Sequence, residues 1–447
     1  MILYIIIGII FLLIILHGAI RIKYKFWVNQ PLYSKYQLIT FFRNNYIINS
    51  NIPEINNKIN FVNIDVHNII DNGDNQSIFD NRIFINTLKD IDYSNLIKLF
   101  NSQSVYFSQS VVNGLNNKGL EYHCTEDTLK NLLLNHSYPG IVGTYKKIYY
   151  KQDINNENII NDFMIYGYLM KIPLFYYTKI ENKKDIISLK IIYFVDNIIY
   201  DKFYVKEKEL LELITTTEYK HQKDWIDIIK NKNNNKPIIN ISLYKYTNTK
   251  IPSFIIPFSN YKSYYFDMSL WKNINYNLHS SIHIIKIGTS NINILFDFFK
   301  SNQIMNLFSC SFIPSLAYIT HLIKNNIYNI YVLLEKKSHS TSEHIYAIYF
   351  FKKANMVYNK KEILYTNITI NNKCNDELFL CGFNNVIKDH NKNSIYTILK
   401  IDDISNSNKI ISNILLNYKP IYIENHSLIF YNYICKPLLS SQIVIMN

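Results

Sequence analysis

The sequence predicts an α+β chain of two similarly built halves, with mixed, largely antiparallel sheets, preceded by one transmembrane helix. Three observations predict it. An apolar run fills residues 1–20. β-Branched and aromatic residues crowd into short stretches separated by turn signals. The order helix, hairpin, helix, strand occurs twice, with a boundary near residue 275, so the halves fall at 21–275 and 276–447.

The N-terminal element comes first. "MILYIIIGIIFLLIILHGAI" carries no Lys or Arg before Arg21. At about 1.5 Å per residue it just reaches across a ~30 Å hydrocarbon layer. A cleaved signal peptide has a basic start and a shorter apolar core. Arg21, Lys23 and Lys25 follow the run, so the positive-inside rule places the remainder in the cytosol. The expectation is a single-pass membrane anchor with a cytosol-facing domain.

Composition bounds the remainder of the chain. It has 447 residues, 48% hydrophobic and 18% charged, which is enough for a substantial core. Its 38 Tyr and 26 Phe exclude disorder. The richness in Ile, Asn, Lys and Tyr reads as A+T-rich coding, of the kind found in some large DNA viruses and protozoa. A net charge of +13 admits an anionic partner: nucleic acid, lipid headgroups or a phosphate-bearing cofactor. The same charge follows from coding bias that fills surfaces with Lys. No helix-turn-helix, zinc finger or RNP-like run accompanies it, so no nucleic-acid partner is expected. Five scattered cysteines without a CxxC pair fit a reducing compartment.

Along the chain, "NTLKDIDYSNLIKLFNSQ" is amphipathic. "CTEDTLKNLLLNHSYPG" reads as a helix: Thr125 is its N-cap, Glu126 and Asp127 fill the first turn, and Pro139-Gly140 stops it. Strand-like runs come next, "GIVGTYKKIYY", "FMIYGYLMKIPLFYY" and "SLKIIYFVDNIIY". A helix, "KEKELLELITTTEY", and a strand, "KPIINISLYKY", close the first half. In the second half "SNINILFDFFKSN" is helical, "IYNIYVLLEKK" pairs with "HIYAIYFFKKA", and "CNDELFLCGFNNVIKDH" is helical. "NSIYTILKI" and "LIFYNYICKPLLSSQIVIMN" end in strands.

Searching for chemistry first excludes. No GxSxG elbow, HExxH, phosphate loop or GxGxxG is present, and no metal site is expected. Each of the twelve histidines stands alone in sequence. One adjacent pair is costly to leave wet, however: Phe26-Trp27 in "YKFWVNQP" wants a core or a flat ligand against it.

That octapeptide resembles the opening of the folded domain in glycylpeptide N-myristoyltransferases. Further matches occur in the family's order: "EYHCTEDTLKNLLLNHSYPG", "YGYLMKIP", "LKIIYFVDNII", "LYKYTNTKIPSFIIPFSNYKSYYFDMSL" and "FYNYICKPLLSSQIVIMN". The resemblance spans residues 21–447 and implies two fused GNAT-type halves. The first half would bind acyl-CoA, and the second would bind peptide and carry the catalytic C-terminus.

The implied reaction moves a myristoyl group from myristoyl-CoA to the N-terminal glycine of a protein. It needs no metal and no permanently bound cofactor, and the implied enzyme is a monomer. The α-carboxylate of Asn447 would take the proton, and the backbone amides of Phe194 and Val195 would form the oxyanion hole. Thr247 would help hold the substrate amine. Tyr24, Lys25, Phe26 and Trp27 would line the acyl-CoA site, with Lys202 and Lys206 on its phosphates. Tyr246 and Glu424 would contact the peptide. The apolar tail "IVIM" can thread inward, and an apolar site raises a carboxylate's pKa toward working range.

Two loops depart from the family pattern. Tyr204 and Val205 stand where basic residues belong in "IIYDKFYVKEKE", and "YKPIYIENHSL" replaces a Gly-rich acidic turn. Tyr193 also replaces an amide side chain beside the oxyanion hole. The alternative reading is therefore a catalytically inactive, membrane-tethered relative that holds acyl-CoA, lipid or a protein partner.

Overall fold

The computed structural model describes residues 2–24, 27–28, 30–35, 46–48, 77–87, 93–102, 104–105, 120–133, 140–152, 158–179, 187–196, 198–200, 210, 213–221, 241–248, 251–271, 278–300, 303–335, 344–392 and 395–446.

The apolar run forms the helix Ile2–Lys23. The membrane expectation is overturned: among the described residues no helix is long and apolar enough to cross a membrane. The single-pass anchor and the membrane-anchored localisation therefore do not stand. The helix instead ends on protein, where Ile20, Tyr24, Trp27 and Val28 pack onto a cluster containing Leu169, Val195 and Tyr244.

The first half supplies β1 (Tyr46–Ile47), β2 (Ser77–Thr87), β3 (Ser104–Val105), β4 (Leu120–Tyr122), β5 (Ile141–Gln152), β6 (Asn158–Lys179), β7 (Ile187–Val195), β8 (Ile198–Tyr200) and β9 (Ser242–Thr247). β5, β6 and β7 pair antiparallel, and β9 then lies parallel to β7. Parallel neighbours need a crossover, and the helical residues 213–221 lie within it.

β10 (Ser259–Asp267) precedes the expected boundary near residue 275, and beyond it lie β11 (Ile282–Lys286), β12 (Cys310–Ile313), β13 (Tyr328–Glu335), β14 (His344–Tyr358), β15 (Lys361–Asn371), β16 (Tyr396–Asp402), β17 (Tyr422–Tyr431), β18 (Tyr433–Ile434) and β19 (Ile443–Ile445). The pattern recurs here. β13, β14 and β15 are antiparallel, the helix Asp376–Lys392 crosses over, and β16 returns parallel to β15.

β17 is a central strand. It pairs with β9 along one edge and with β10 along the other. Its register is pinned at the tip by Asn248, whose φ of 50° is the left-handed conformation that Asn tolerates better than other non-glycine residues. Asn248 N–H donates to the Asn425 carbonyl at 2.8 Å, and Asn425 N–H donates to the Asn248 side chain at 3.0 Å. With only 10 Gly in the chain, Asn takes several such turn positions, including Asn326, Asn359 and Asn432.

β19 runs parallel to β12, which also borders β6. Ile443, Val444, Ile445 and Met446 are all buried. Burying such side chains stabilises by about 1.5–3 kcal/mol each before ordering costs. Ile443 and Ile445 join Phe194, Leu243 and Phe430 in one cluster, and the stacked rings of Tyr176 and Phe312 lie 4.8 Å apart in it.

Gly143 in β5 lets the helical residues 213–221 approach closely. A Cβ there would strike the Thr217 hydroxyl and reach Leu213 at 3.2 Å. Thr217 cannot easily yield, because its hydroxyl donates to the Leu213 carbonyl at 2.7 Å. Gly143→Ala is therefore expected to cost about 1–3 kcal/mol by overpacking. In urea titrations the Gly143→Ala/Thr217→Ala double variant should lose less than the sum of the single variants. Strict additivity would locate the cost elsewhere.

Candidate active site

A cavity of about 220 Å³ opens where the end of β7, β9, β14, β15, β16 and β17 converge, roofed by the helix Glu126–Leu133. Strand alternation aims side chains two apart at one face. Lys245 and Thr247 of β9 and Glu424 and His426 of β17 all line the space.

Its walls are dense with charge. Asp196, the residue after β7, pairs with Lys245 at 2.8 Å. Glu424 pairs with Lys400 at 3.2 Å and accepts from the Tyr265 hydroxyl at 3.0 Å. Lys352 lies over the rings of Tyr365 and Tyr328, 5.1 and 5.4 Å from their centroids. Burial alone would raise the Asp196 and Glu424 carboxyls, but Lys245 beside the first and Lys400 beside the second hold both below their ordinary values. Burial would lower Lys245 and Lys400, and their carboxylate partners raise both instead. For Lys352 burial outweighs the attraction of Asp196, and its ammonium falls to about 8.

His426 links the cavity to a buried carboxylate. Its Nδ1 lies 3.0 Å from Thr247 Oγ1, and its Nε2 lies 2.7 Å from Ser263 Oγ. Ser263 donates in turn to Asp402, which also accepts from the Tyr365 hydroxyl at 2.7 Å. Burial, then Lys245 and Lys400, push the His426 imidazolium far below its ordinary range, so the ring is neutral.

Of the residues expected from sequence, Thr247 and Glu424 meet in this cavity. Phe194 and Val195 are buried in β7. The β6 register ends at the Ile172↔Phe194 pair, so Val195 is paired on the β9 side alone, and the next residue, Asp196, reaches the cavity wall. Tyr246 falls on the other face of β9, 5.6 Å from the Trp27 ring, and Tyr24 sits edge-on to Phe254 at 5.7 Å. Tyr24, Trp27 and Tyr246 thus share an apolar cluster apart from Thr247. Lys25, Phe26, Lys202, Lys206 and Asn447 lie outside the described residues.

Behind β7, Tyr193 packs edge-on against His221 at 4.0 Å and under Lys171 at 5.7 Å. Lys171 is fully buried and pairs with Glu218 at 2.7 Å, and Glu218 also accepts from the Tyr244 hydroxyl. Among the described residues no group of three His, Cys, Asp or Glu side chains is placed to hold a metal.

Sequence reading missed Asp196, Ser263, Lys352, Lys400, Asp402 and His426. One signal was present: lysines interrupt otherwise apolar strands in "LYKYT", "YFFKKA" and "TILKID". In "IENHS", His426 also follows Glu424 at strand period.

No protein-family description matches the chain, and no curated protein matches it in sequence. Solved structures do match. Saccharomyces cerevisiae N-myristoyltransferase with bound myristoyl-CoA has a TM-score of 0.59 at 11% identity, covering 93% of this chain and 89% of that chain. A second structure of it with myristoyl-CoA gives 0.57 at 11%, covering 93% and 94%. A third, with myristoyl-CoA and inhibitors, gives 0.57 at 12%, covering 93% and 91%. The chain therefore has an N-myristoyltransferase-like fold, and at this identity the likeness is one of fold.

Lys352 yields a pH-dependent expectation. Its folded-state value of about 8 lies below the ordinary 10.5, so between those values the unfolded chain binds more protons. The lysine costs stability below pH 8, and the cost fades as pH rises toward 10.5. Lys352→Met should stabilise by about 1–2 kcal/mol at pH 7, discounted for partial exposure, with a smaller gain at pH 10. A gain independent of pH in denaturant titrations would rule out desolvation as its cause.

Proposed function

We propose that the chain transfers a long-chain acyl group, myristoyl, from acyl-CoA to the N-terminal glycine amine of a protein. The observation that carries this reading is the inward course of the last described residues. Ile443 to Met446 run buried beside β12, and Ile443 and Ile445 pack in the same cluster as Phe194. In this reading the next group, the α-carboxylate of Asn447, is the base.

The substrate ammonium gives a proton to the Asn447 carboxylate, and its hydrogen-bond geometry is held by the Thr247 hydroxyl. The lysine-rich wall disfavours an ammonium and so favours the neutral amine. The amine nitrogen attacks the thioester carbon. The amides of Phe194 and Val195 receive the oxyanion, a contribution of roughly 3–4 kcal/mol per donor. As the C–S bond breaks, the attacking nitrogen gives up its second proton and the departing sulfur takes it, so CoA leaves as the thiol. A side chain on the first residue would meet the approaching thioester, so glycine is required. Tyr24, Lys25, Phe26 and Trp27 border the acyl-CoA in this reading, Lys202 and Lys206 meet its phosphates, and Tyr246 and Glu424 address the peptide.

Labelled myristoyl-CoA incubated with a Gly-start peptide should label that peptide and leave an Ala-start control unlabelled. Extending the chain beyond Asn447 by a short tag should cut kcat by at least about 10²-fold, the order expected for a lost general base. Acyl-CoA binding should be retained. Full activity in the tagged chain would remove the carboxylate from the mechanism.

A further inference from the structure

The hydrogen bonds running inward from Thr247 fix one another's direction. Asp402 is 2% exposed and accepts on both oxygens, from Ser263 on one and from Tyr365 on the other. A serine hydroxyl has a single proton. Ser263 spends it on Asp402, so toward His426 Nε2, 2.7 Å away, it can only accept. Nε2 therefore carries a hydrogen. The same atom lies 3.5 Å from Glu424 Oε2, a second acceptor, which agrees with that assignment.

The other charged and titratable groups around the ring are Lys245 of β9, Lys400 of β16 and Tyr261 of β10, whose ring centroid is 4.7 Å from that of His426. Both lysines oppose a second proton on the imidazole, and burial opposes it more strongly. The ring is thus the neutral Nε2–H tautomer with a bare Nδ1. Thr247 Oγ1, 3.0 Å from Nδ1, must donate there.

We propose that Asp402, Ser263 and His426 form a polarity relay that holds the Thr247 hydroxyl as a hydrogen-bond acceptor facing the cavity, so that the site selects a ligand arriving as an N–H donor, a primary amine. This rests on the reading that Thr247 meets the substrate amine, and it deepens that reading by giving positioning roles to three residues. The relay moves no proton in the resting state. It fixes which partner owns each hydrogen, so an amine meets lone pairs and a carboxylate-bearing end meets no donor from Thr247.

The relay's direction is readable without turnover. In protein labelled with ¹⁵N-histidine, His426, assigned by its loss in His426→Gln, should show an amine-type Nε2 and an imine-type Nδ1 from pH 5 to 8. An Nδ1–H tautomer or an imidazolium in that range would overturn the proposal. In Asp402→Asn the amide can donate to Ser263 and reverse the chain, so the tautomer should switch and kcat/KM for a Gly-start peptide should fall by about 10²-fold, the sense of the wrong-tautomer effect in hydrolase triads. If that variant does not fold, Thr247→Val and Thr247→Ser leave the buried carboxylate in place. Val should weaken binding of a Gly-start peptide at least 10-fold, and Ser should restore it.

Calorimetry without acyl-CoA separates this proposal from the acyl-transfer reading. The peptide with a free amine should bind the wild-type chain at least 10-fold more tightly than its des-amino analogue, in which the first residue has a methyl group and no terminal N–H. Equal binding sinks the relay's selectivity. Tight, amine-selective binding without acyl transfer sinks the transfer reading and leaves the relay standing.

Discussion

A charge taken out of water must find an opposite charge close by or give itself up, and that requirement organises the centre of this molecule. Three lysines, Lys245, Lys352 and Lys400, share one seam with three carboxylates, Asp196, Glu424 and Asp402. Nearly every attraction crosses between elements. Lys245 of β9 reaches past the end of β7, Lys400 of β16 reaches β17, and Tyr365 of β15 reaches Asp402 of β16. Sheet order and charge order thus support each other, and removing one partner leaves the other stranded in low dielectric.

β9 shows how far this reaches. On one face Lys245 enters the cavity network. On the other, Tyr244 donates to Glu218, which holds Lys171 of β6. The strand is fixed between two ionic networks, and β7 is fixed parallel to it. The backbone of Phe194 and Val195 is thus flanked by charges, Asp196 as the next residue and Lys245 on the neighbouring strand. In the proposed mechanism these amides are dipoles already oriented, and preorganised dipoles do not spend energy turning when charge develops. His426 follows the same logic, since burial and the cationic Lys245 and Lys400 keep the imidazole neutral.

Much of the scaffold was legible because it rests on local pattern. The β-branched and aromatic density of β5, β6 and β7 reads directly as strand, and Thr125 caps its helix as expected, accepting from Thr128 N–H at 3.3 Å. The helix Asp376–Lys392 carries Asp376 and Glu377 in its first turn. The strands β10 and β15 and the helix Ser407–Leu415 escaped because Lys and Asn break their apolar rhythm. The site was hidden for a related reason. In a Lys-rich chain each lysine looks like surface, and only tertiary packing shows that Lys171, Lys245 and Lys400 lie inside. His426 looked solitary because its partners Thr247 and Ser263 are 179 and 163 residues away in sequence. The apolar N-terminus misled in the opposite direction: the tail of this helix packs with Tyr24, Trp27 and their protein neighbours.

A fold shared at 11% identity with N-myristoyltransferase also fits what the core asks of its side chains. The parallel pairs β7 with β9 and β15 with β16 each demand a crossover, and β17 must present one edge to β9 and the other to β10. Those demands fall on backbone geometry and on apolar bulk, which many sequences satisfy. The groups proposed for the chemistry divide along the same line. Backbone amides at Phe194 and Val195 survive almost any apolar substitution, because they belong to the strand and not to its side chains. Thr247, His426, Ser263 and Asp402 are different in kind, since each owns a specific number of protons and lone pairs, and one exchange reverses the direction of all the rest.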